Sequence, residues 1–171
     1  MKKSVLLFML GCVMMLTAQA QKFALIDMES IMQHIPAYEQ ALTQLDNESK
    51  KYQNEVETIG QEAKALYGKY QKEVSKLTAA QRTERENAIV AKEKQAAELR
   101  QKYFGAEGVM SQRQQQLMQP INDAVYAAVK SISQQRGYSL VLDRASGTSI
   151  VFASPAIDIS DEVLSILGYS N

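Results

Sequence analysis

The sequence predicts an α+β protein, a small β-containing body interrupted by a long antiparallel α-helical coiled-coil hairpin. Three observations lead there. From Tyr38 the apolar positions fall at 38, 42, 45, 49, 52, 56, 59, 63, 66, 70, 73 and 77, alternately four and three apart, and all but Ser49 and Glu73 hold an apolar residue or Tyr. Such a seam over more than five heptads is a coiled-coil helix. Thr78 with Gln81 three residues on is a capping box, so a second helix starts just where the first seam ends. Short β-rich runs stand on both sides of this helical stretch, at 22–27 and at 138–153.

Taken in order, residues 1–20 lie outside the fold. Lys2 and Lys3 precede the apolar run Val5 to Leu16, and Thr17-Ala18-Gln19-Ala20 offers an A-x-A site, so a signal peptide cleaved after Ala20 is expected. The rival is a lipoprotein anchored at Cys12, but Val13, Met14, Met15 and Leu16 continue the apolar run past that residue. A chain starting at Gln21 has no cysteine, which suits an oxidising compartment.

Residues 21–45 form the first part of the body. Lys22 to Asp27 reads as a strand, Met28 to His34 as one or two helical turns, and Pro36 as the first turn of the long helix. Residues 46–118 form the arm, with its tip near 78. At about 1.5 Å per residue, forty helical residues reach roughly 60 Å. The returning helix has one good column, Ile89, Ala96, Tyr103, Met110, Leu117 and Ala124, beside a poor one of Glu86, Glu93, Arg100, Glu107 and Gln114. Two antiparallel helices that grip weakly follow. Folding about Thr78 pairs residues whose numbers sum to about 156, which places Tyr52 near Tyr103 and Phe104 as an aromatic clasp.

Gly60, Gly68, Gly105 and Gly108 fall inside these helices, at about 1 kcal/mol each relative to Ala. Either they pack against large neighbours or they make the arm bendable. Gly105 and Gly108 bracket the clasp and are the hinge candidates, and replacing both with Ala should stiffen the helix by up to about 2 kcal/mol of propensity. Residues 119–171 complete the body. Pro120 starts or kinks a helix with Ile121, Ala124, Val125, Ala128, Val129 and Ile132 on one face, and Gly137 is its C′ residue. Tyr138 to Leu142 reads as a strand, Asp143 to Thr148 as a loop, Ser149 to Ala153 as a further strand, and Ser160 as the N-cap of a last helix ending at Gly168. Three short strands and two short helices make a thin core, which association would complete. Phe23, Leu25, Tyr138, Leu140, Ile150 and Phe152 alternate along the strands and could face a shared core.

Composition excludes several chemistries. One Cys and one His cannot supply a structural zinc site of about four ligands. Any Ser or Cys nucleophile would depend on His34 alone, which beside Pro36 reads as a surface or packing residue. No polar cluster for an enzyme and no cofactor site emerges. Charge is balanced at 19 basic and 19 acidic residues, which gives no sign of nucleic-acid binding. Without residues 1–20 the balance is 17 against 19, a net of −2.

The mature chain resembles the Skp/OmpH family of periplasmic chaperones over nearly its whole length. Near the N-terminus the resemblance rests on Phe23-Ala24-Leu25-Ile26-Asp27-Met28-Glu29 and Ile35-Pro36-Ala37-Tyr38. Near the C-terminus it rests on Pro120-Ile121, Gly137-Tyr138, Val141-Leu142-Asp143 and Asp158-Ile159-Ser160-Asp161-Glu162-Val163. It implies a homotrimer in which strands of three chains form one β-barrel-like trimerisation body. Three helical arms then enclose a cavity that holds unfolded outer-membrane proteins without ATP. Transient contact with a membrane surface is a further partner it allows. The chain departs from the family's strongly basic character, and no cluster of basic residues matches a lipopolysaccharide site. Basic character survives near the arm tip, where Lys64, Lys69, Lys72, Lys76 and Arg82 face only Glu73 among residues 63 to 83. With Tyr67, which lies off the seam, these are the candidate client-binding residues; a solvated helix face is the plainer reading. The other function class is a structural coiled-coil scaffold of the envelope that binds one folded partner.

Overall fold

Two short strands, β1 (Lys22–Ile26) and β2 (Tyr138–Asp143), pair in parallel although the whole helical stretch separates them in sequence. The computed structural model describes residues 21–146 and 150–169; the expected signal peptide lies outside them. Between the strands run α1 (Met28–Gln33), α2 (Pro36–Glu73), a 3-10 turn (Val74–Lys76), α3 (Ala79–Phe104) and α4 (Val109–Arg136). After β2 come a 3-10 turn (Pro155–Ile157) and α5 (Ser160–Leu167). The chain divides into two compact units. One contains the described residues up to His34 and from Ala124 on, and the other is Ile35–Asp123.

In the first unit β1 is the hub. Phe23, Ala24, Leu25 and Ile26 pair with Leu140, Val141, Leu142 and Asp143, while Leu25 also bridges to Asp158 on its other edge. Parallel pairing needs a long crossover, here the helical insertion itself. The core is thin: Ile31, Ile159, Val125 and Val163 are its fully buried large side chains. Polar bonds knit the connections around it. Asp27 caps α1 by accepting from the Ser30 N–H (2.9 Å), and its own N–H donates to the Ser160 hydroxyl (2.8 Å). That bond corrects the expected role of Ser160. The N-cap of α5 is Ile159, and the Ser160 oxygen serves α1's entry instead of its own helix. Gly137 and Gly168 adopt left-handed φ of 71° and 81° after their helices, where any Cβ would be disfavoured.

One expected strand is absent. Residues 150–153 form no strand, because neither edge of the two-stranded sheet takes them up, and Val151 and Phe152 stand 99% and 85% exposed. Ser149 lies outside the described residues.

In the second unit α2 and α3 form the antiparallel hairpin. Pro36 opens α2 at a position where its missing N–H costs nothing. Val56 and Ala63 of the predicted seam are buried; toward the base Ala41 is buried in place of Leu42, which is 45% exposed. The Thr78 hydroxyl accepts from the Gln81 N–H (3.3 Å) while the Gln81 side-chain Oε1 accepts from the Thr78 N–H (3.0 Å), completing the capping box. The returning helix differs from expectation in two places. It is broken at residues 105–108, so Gly105 and Gly108 form a joint between α3 and α4 and are not helical. Pro120 starts nothing: it lies inside α4, which runs unbroken across it. Leu117, Ile121 and Val125 keep one helical phase on both sides of Pro120, and that continuous face outweighs one lost backbone bond.

Candidate functional site

The arm is built on a narrow seam. Few side chains cross it, and their numbers sum to between 154 and 158, as a turn about Thr78 requires. Nearest the tip, Arg85 pairs with Glu73 (3.5 Å) and the Tyr70 hydroxyl donates to Glu86. Midway, Lys92 pairs with Glu62 (2.7 Å). Toward the joint the Tyr52 and Tyr103 rings stack at 4.1 Å, Phe104 lies edge-on to Tyr103, and the Tyr103 hydroxyl donates to Glu55 (2.9 Å). The clasp therefore exists. Donation to a carboxylate raises the Tyr70 and Tyr103 phenols above their ordinary values, in both cases as the leading cause. Beyond the joint, Arg113 of α4 pairs with Glu48 of α2 (3.1 Å), a contact with no counterpart in the sequence pattern. Exposed ion pairs of this kind contribute roughly 0–1 kcal/mol each, so the grip between the helices is weak.

The candidate client-binding residues are all on the surface. Lys64, Lys69, Lys72, Lys76 and Arg82 are exposed and make no ion pair among the described residues, and Tyr67 is 51% exposed. They do not form one stripe. At about 100° per residue, Lys64, Lys69 and Lys72 spread over roughly 140° of the α2 surface, so the tip is a broad cationic field. Glu73 is neutralised by Arg85 and Glu86 is engaged by Tyr70, while Glu84 has neither kind of partner among the described residues.

Of the expected trimerisation residues, Leu25 is buried within its own chain. Its side chain is core of the first unit and not free surface, because β1 is covered on both faces toward its C-terminal end. Phe23 (48% exposed) and Leu140 (46%) are register partners, Tyr138 and Ile150 are half-buried, and Phe152 is open. Sequence reading missed the polar knot nearby: Arg144 joins Asp27 (3.0 Å) to Asp158 (3.2 Å), and Asp143 accepts from the Met28 N–H (3.0 Å). The Ser30 N–H, then Arg144, hold the Asp27 carboxyl below its ordinary value against some desolvation. The acidic residues at 27, 143 and 158 were the available signal, but only the fold brings them together.

His34 is exposed and its Nδ1 donates to the Ser30 carbonyl (2.7 Å), closing α1. Among the described residues no group of three His, Cys, Asp or Glu could hold a metal ion, and no helix is long and apolar enough to cross a membrane.

Fold and site together define a class: a protein with a small parallel sheet in one unit and a helical hairpin in the other, whose hairpin displays apolar side chains and cations that form no ion pair among the described residues. A family model described as outer membrane protein (OmpH-like) matches residues 22–167, and the chain belongs to that family. Among similar proteins are the chaperone protein Skp of Yersinia enterocolitica, 29% identical over 86% of this chain and 87% of its own length, and that of Pectobacterium atrosepticum, 28% identical over 96% and 98%. The chaperone protein Skp of Photorhabdus laumondii is 25% identical over 85% of this chain and 84% of its own.

Proposed function

We propose that this protein is an ATP-independent periplasmic holdase chaperone for unfolded outer-membrane β-barrel proteins. Membership of the OmpH-like family over residues 22–167, with relatives named as chaperones over nearly their full length, carries the reading. In it, residues 1–20 are a cleaved signal peptide, residues 21–45 and 119–171 are the body, and residues 46–118 are the arm. Three bodies associate through apolar surface that one chain leaves open at Phe23, Leu140 and Phe152. Large exposed apolar side chains of this kind mark association surfaces when they cluster.

The physical chemistry suits a holdase. Such a protein must touch many sequences weakly, over a surface that can reshape. A seam of few contacts, a non-helical joint at Gly105 and Gly108 acting as hinge, and Met110 and Met118 of α4 supply adaptability. Lys64, Lys69, Lys72, Lys76 and Arg82 attract acidic chains, and Tyr67 offers them a ring. The test is light scattering of a diluted, denatured β-barrel membrane protein with and without this protein. Suppressed scattering without ATP is expected. Unchanged scattering together with tight binding of a single folded envelope protein would establish a scaffold instead.

A further inference from the structure

The hairpin seam has a hole in its middle. The register places Gly60 of α2 near Ala96 of α3, and two such small residues leave the groove beside the seam unfilled at this level. On the tip side the gap is bounded by the Lys92–Glu62 pair, and on the joint side by the Tyr52–Tyr103 stack and the Tyr103–Glu55 bond. Pinned at both ends, the helices cannot close on it. The result is a trough of about 510 Å³ whose walls include Val56, Gly60, Ala96 and Phe104. Its volume falls within the range of small-molecule and side-chain pockets, about 300–1,000 Å³. Nothing lies within 4 Å of where a Gly60 Cβ would stand, so this glycine is not explained by close packing.

The charges around the trough are unbalanced. Lys64 and Arg100 line it, and neither makes an ion pair among the described residues. The lining carboxylate, Glu57, accepts from the Gln61 amide (3.0 Å) and neutralises neither cation through a direct pair. An apolar floor with two free cations at its edge is complementary to an apolar side chain flanked by a carboxylate.

We propose that the trough around Gly60 is a seat for acidic-apolar segments of unfolded polypeptide, with the apolar side chain between Val56 and Phe104 and the carboxylate on Lys64 and Arg100. The proposal rests on the holdase reading and locates one contact of it on a single arm.

The probe is a fluorescent peptide alternating Phe or Leu with Asp, compared with its Asn twin, by anisotropy with the purified protein. Gly60→Leu fills the trough from one wall and Ala96→Leu from the other. Each should weaken the Asp peptide by about tenfold or more, as expected when one apolar pocket is lost, with far-UV circular dichroism unchanged. Lys64→Gln with Arg100→Gln should bring the Asp and Asn peptides to equal affinity. Unchanged binding in whichever filled variant keeps its helix content would overturn the seat, as would a wild type that binds neither peptide. A dodecanoate probe is run alongside. If filling the trough releases dodecanoate and leaves the peptide bound, the trough is an acyl-chain site and the assignment falls. Light scattering keeps the two readings apart: a wild type that suppresses aggregation while the filled variants bind peptide normally refutes the seat alone, whereas a wild type that fails to suppress refutes the holdase.

Discussion

Alanine substitutions at the four arm glycines should split by sign. Gly60 and Gly68 lie within α2, and at both positions an added Cβ would meet nothing within 4 Å. The change removes only the backbone entropy penalty of glycine, about 1 kcal/mol each. Eight residues of helix separate them by about 12 Å, far enough for near-additivity. The double variant should therefore gain about 2 kcal/mol, or roughly 4–8 °C in Tm for a protein of this size. Gly105 and Gly108 behave oppositely. A Gly105 Cβ would run into the Gln101 carbonyl, and a Gly108 Cβ would lie 2.8 Å from the Tyr103 carbonyl and 2.9 Å from Gly105 backbone atoms. Those atoms are held by the joint's own bonds, Gly105 N–H to Gln101 O (2.9 Å) and Gly108 N–H to Gly105 O (2.8 Å). Relieving such overlaps costs about 1–3 kcal/mol each. The stiffening expected of a helical Gly105 and Gly108 is thus replaced by loss of the joint. Urea and thermal melts followed at 222 nm, at one protein concentration because association shifts apparent stability, measure both. Stabilisation by Gly105→Ala or Gly108→Ala, or destabilisation by Gly60→Ala and Gly68→Ala, would refute the steric argument.

Asp27 has a depressed carboxyl in the folded state, so its contribution is present above the ordinary carboxylate value and is lost as pH falls through the lower folded one; Asp27→Asn should flatten the acid limb of a stability–pH curve below about pH 4, and an unaltered limb would show that other carboxylates govern it. Mass spectrometry of exported protein should find Gln21 as the first residue; an intact leader or a lipid on Cys12 would contradict the cleavage site. Glu48 and Arg113 touch, so excising residues 46–113 joins chain ends that lie side by side; the folded remainder should sediment as a trimer, and a folded monomer would remove the body from the association. Stopped-flow capture of a labelled unfolded barrel protein should slow as the Debye length falls from about 10 Å at 0.1 M salt to about 3 Å at 1 M. Changing Lys64, Lys69, Lys72 and Lys76 to Gln should mimic high salt; an on-rate indifferent to both would make capture apolar from first encounter.

The parts of this fold visible in the sequence are those set by short-range periodicity. Val56 and Ala63 lie buried where the heptad put them, Thr78 and Gln81 cap one another, and Gly137 and Gly168 end their helices in left-handed φ. The break between α3 and α4 was hidden for a geometric reason. Residues 105–108 amount to nearly one turn at 3.6 residues per turn, so Tyr103 and Met110 keep the seven-residue spacing although the helix between them is interrupted. Of the two outcomes the sequence offers at Pro120, a start or a kink, the helix start is excluded because the face formed by Leu117, Ile121 and Val125 carries α4 through it. The expected strand around Ile150 and Phe152 alternates correctly, but alternation describes a strand's faces and not the edge it must pair with. The tip cations could be read directly as composition. The trough could not, since it depends on Gly60 facing Ala96, which requires the turn at Thr78 and the antiparallel register to be applied together.

The weakness of the arm is best understood beside the economy of the body. A hairpin with a full seam on both helices would bury its apolar residues against itself and leave little for a guest. Here the α3 column of Ile89, Ala96 and Tyr103 is apolar, while its companion positions Glu86, Glu93 and Arg100 are charged. The second half of a coiled-coil interface is therefore missing, and Val90, Phe104 and Tyr67 remain 59%, 39% and 51% exposed. In a protein that held its own shape through the arm this would be a defect. The first unit has contacts of its own, with β1 at its centre and bonds joining Asp27, Arg144, Asp158 and Ser160. In the proposed holdase, the exposed apolar side chains and cations of α2 and α3 are the complement of an unfolded chain's apolar and acidic groups.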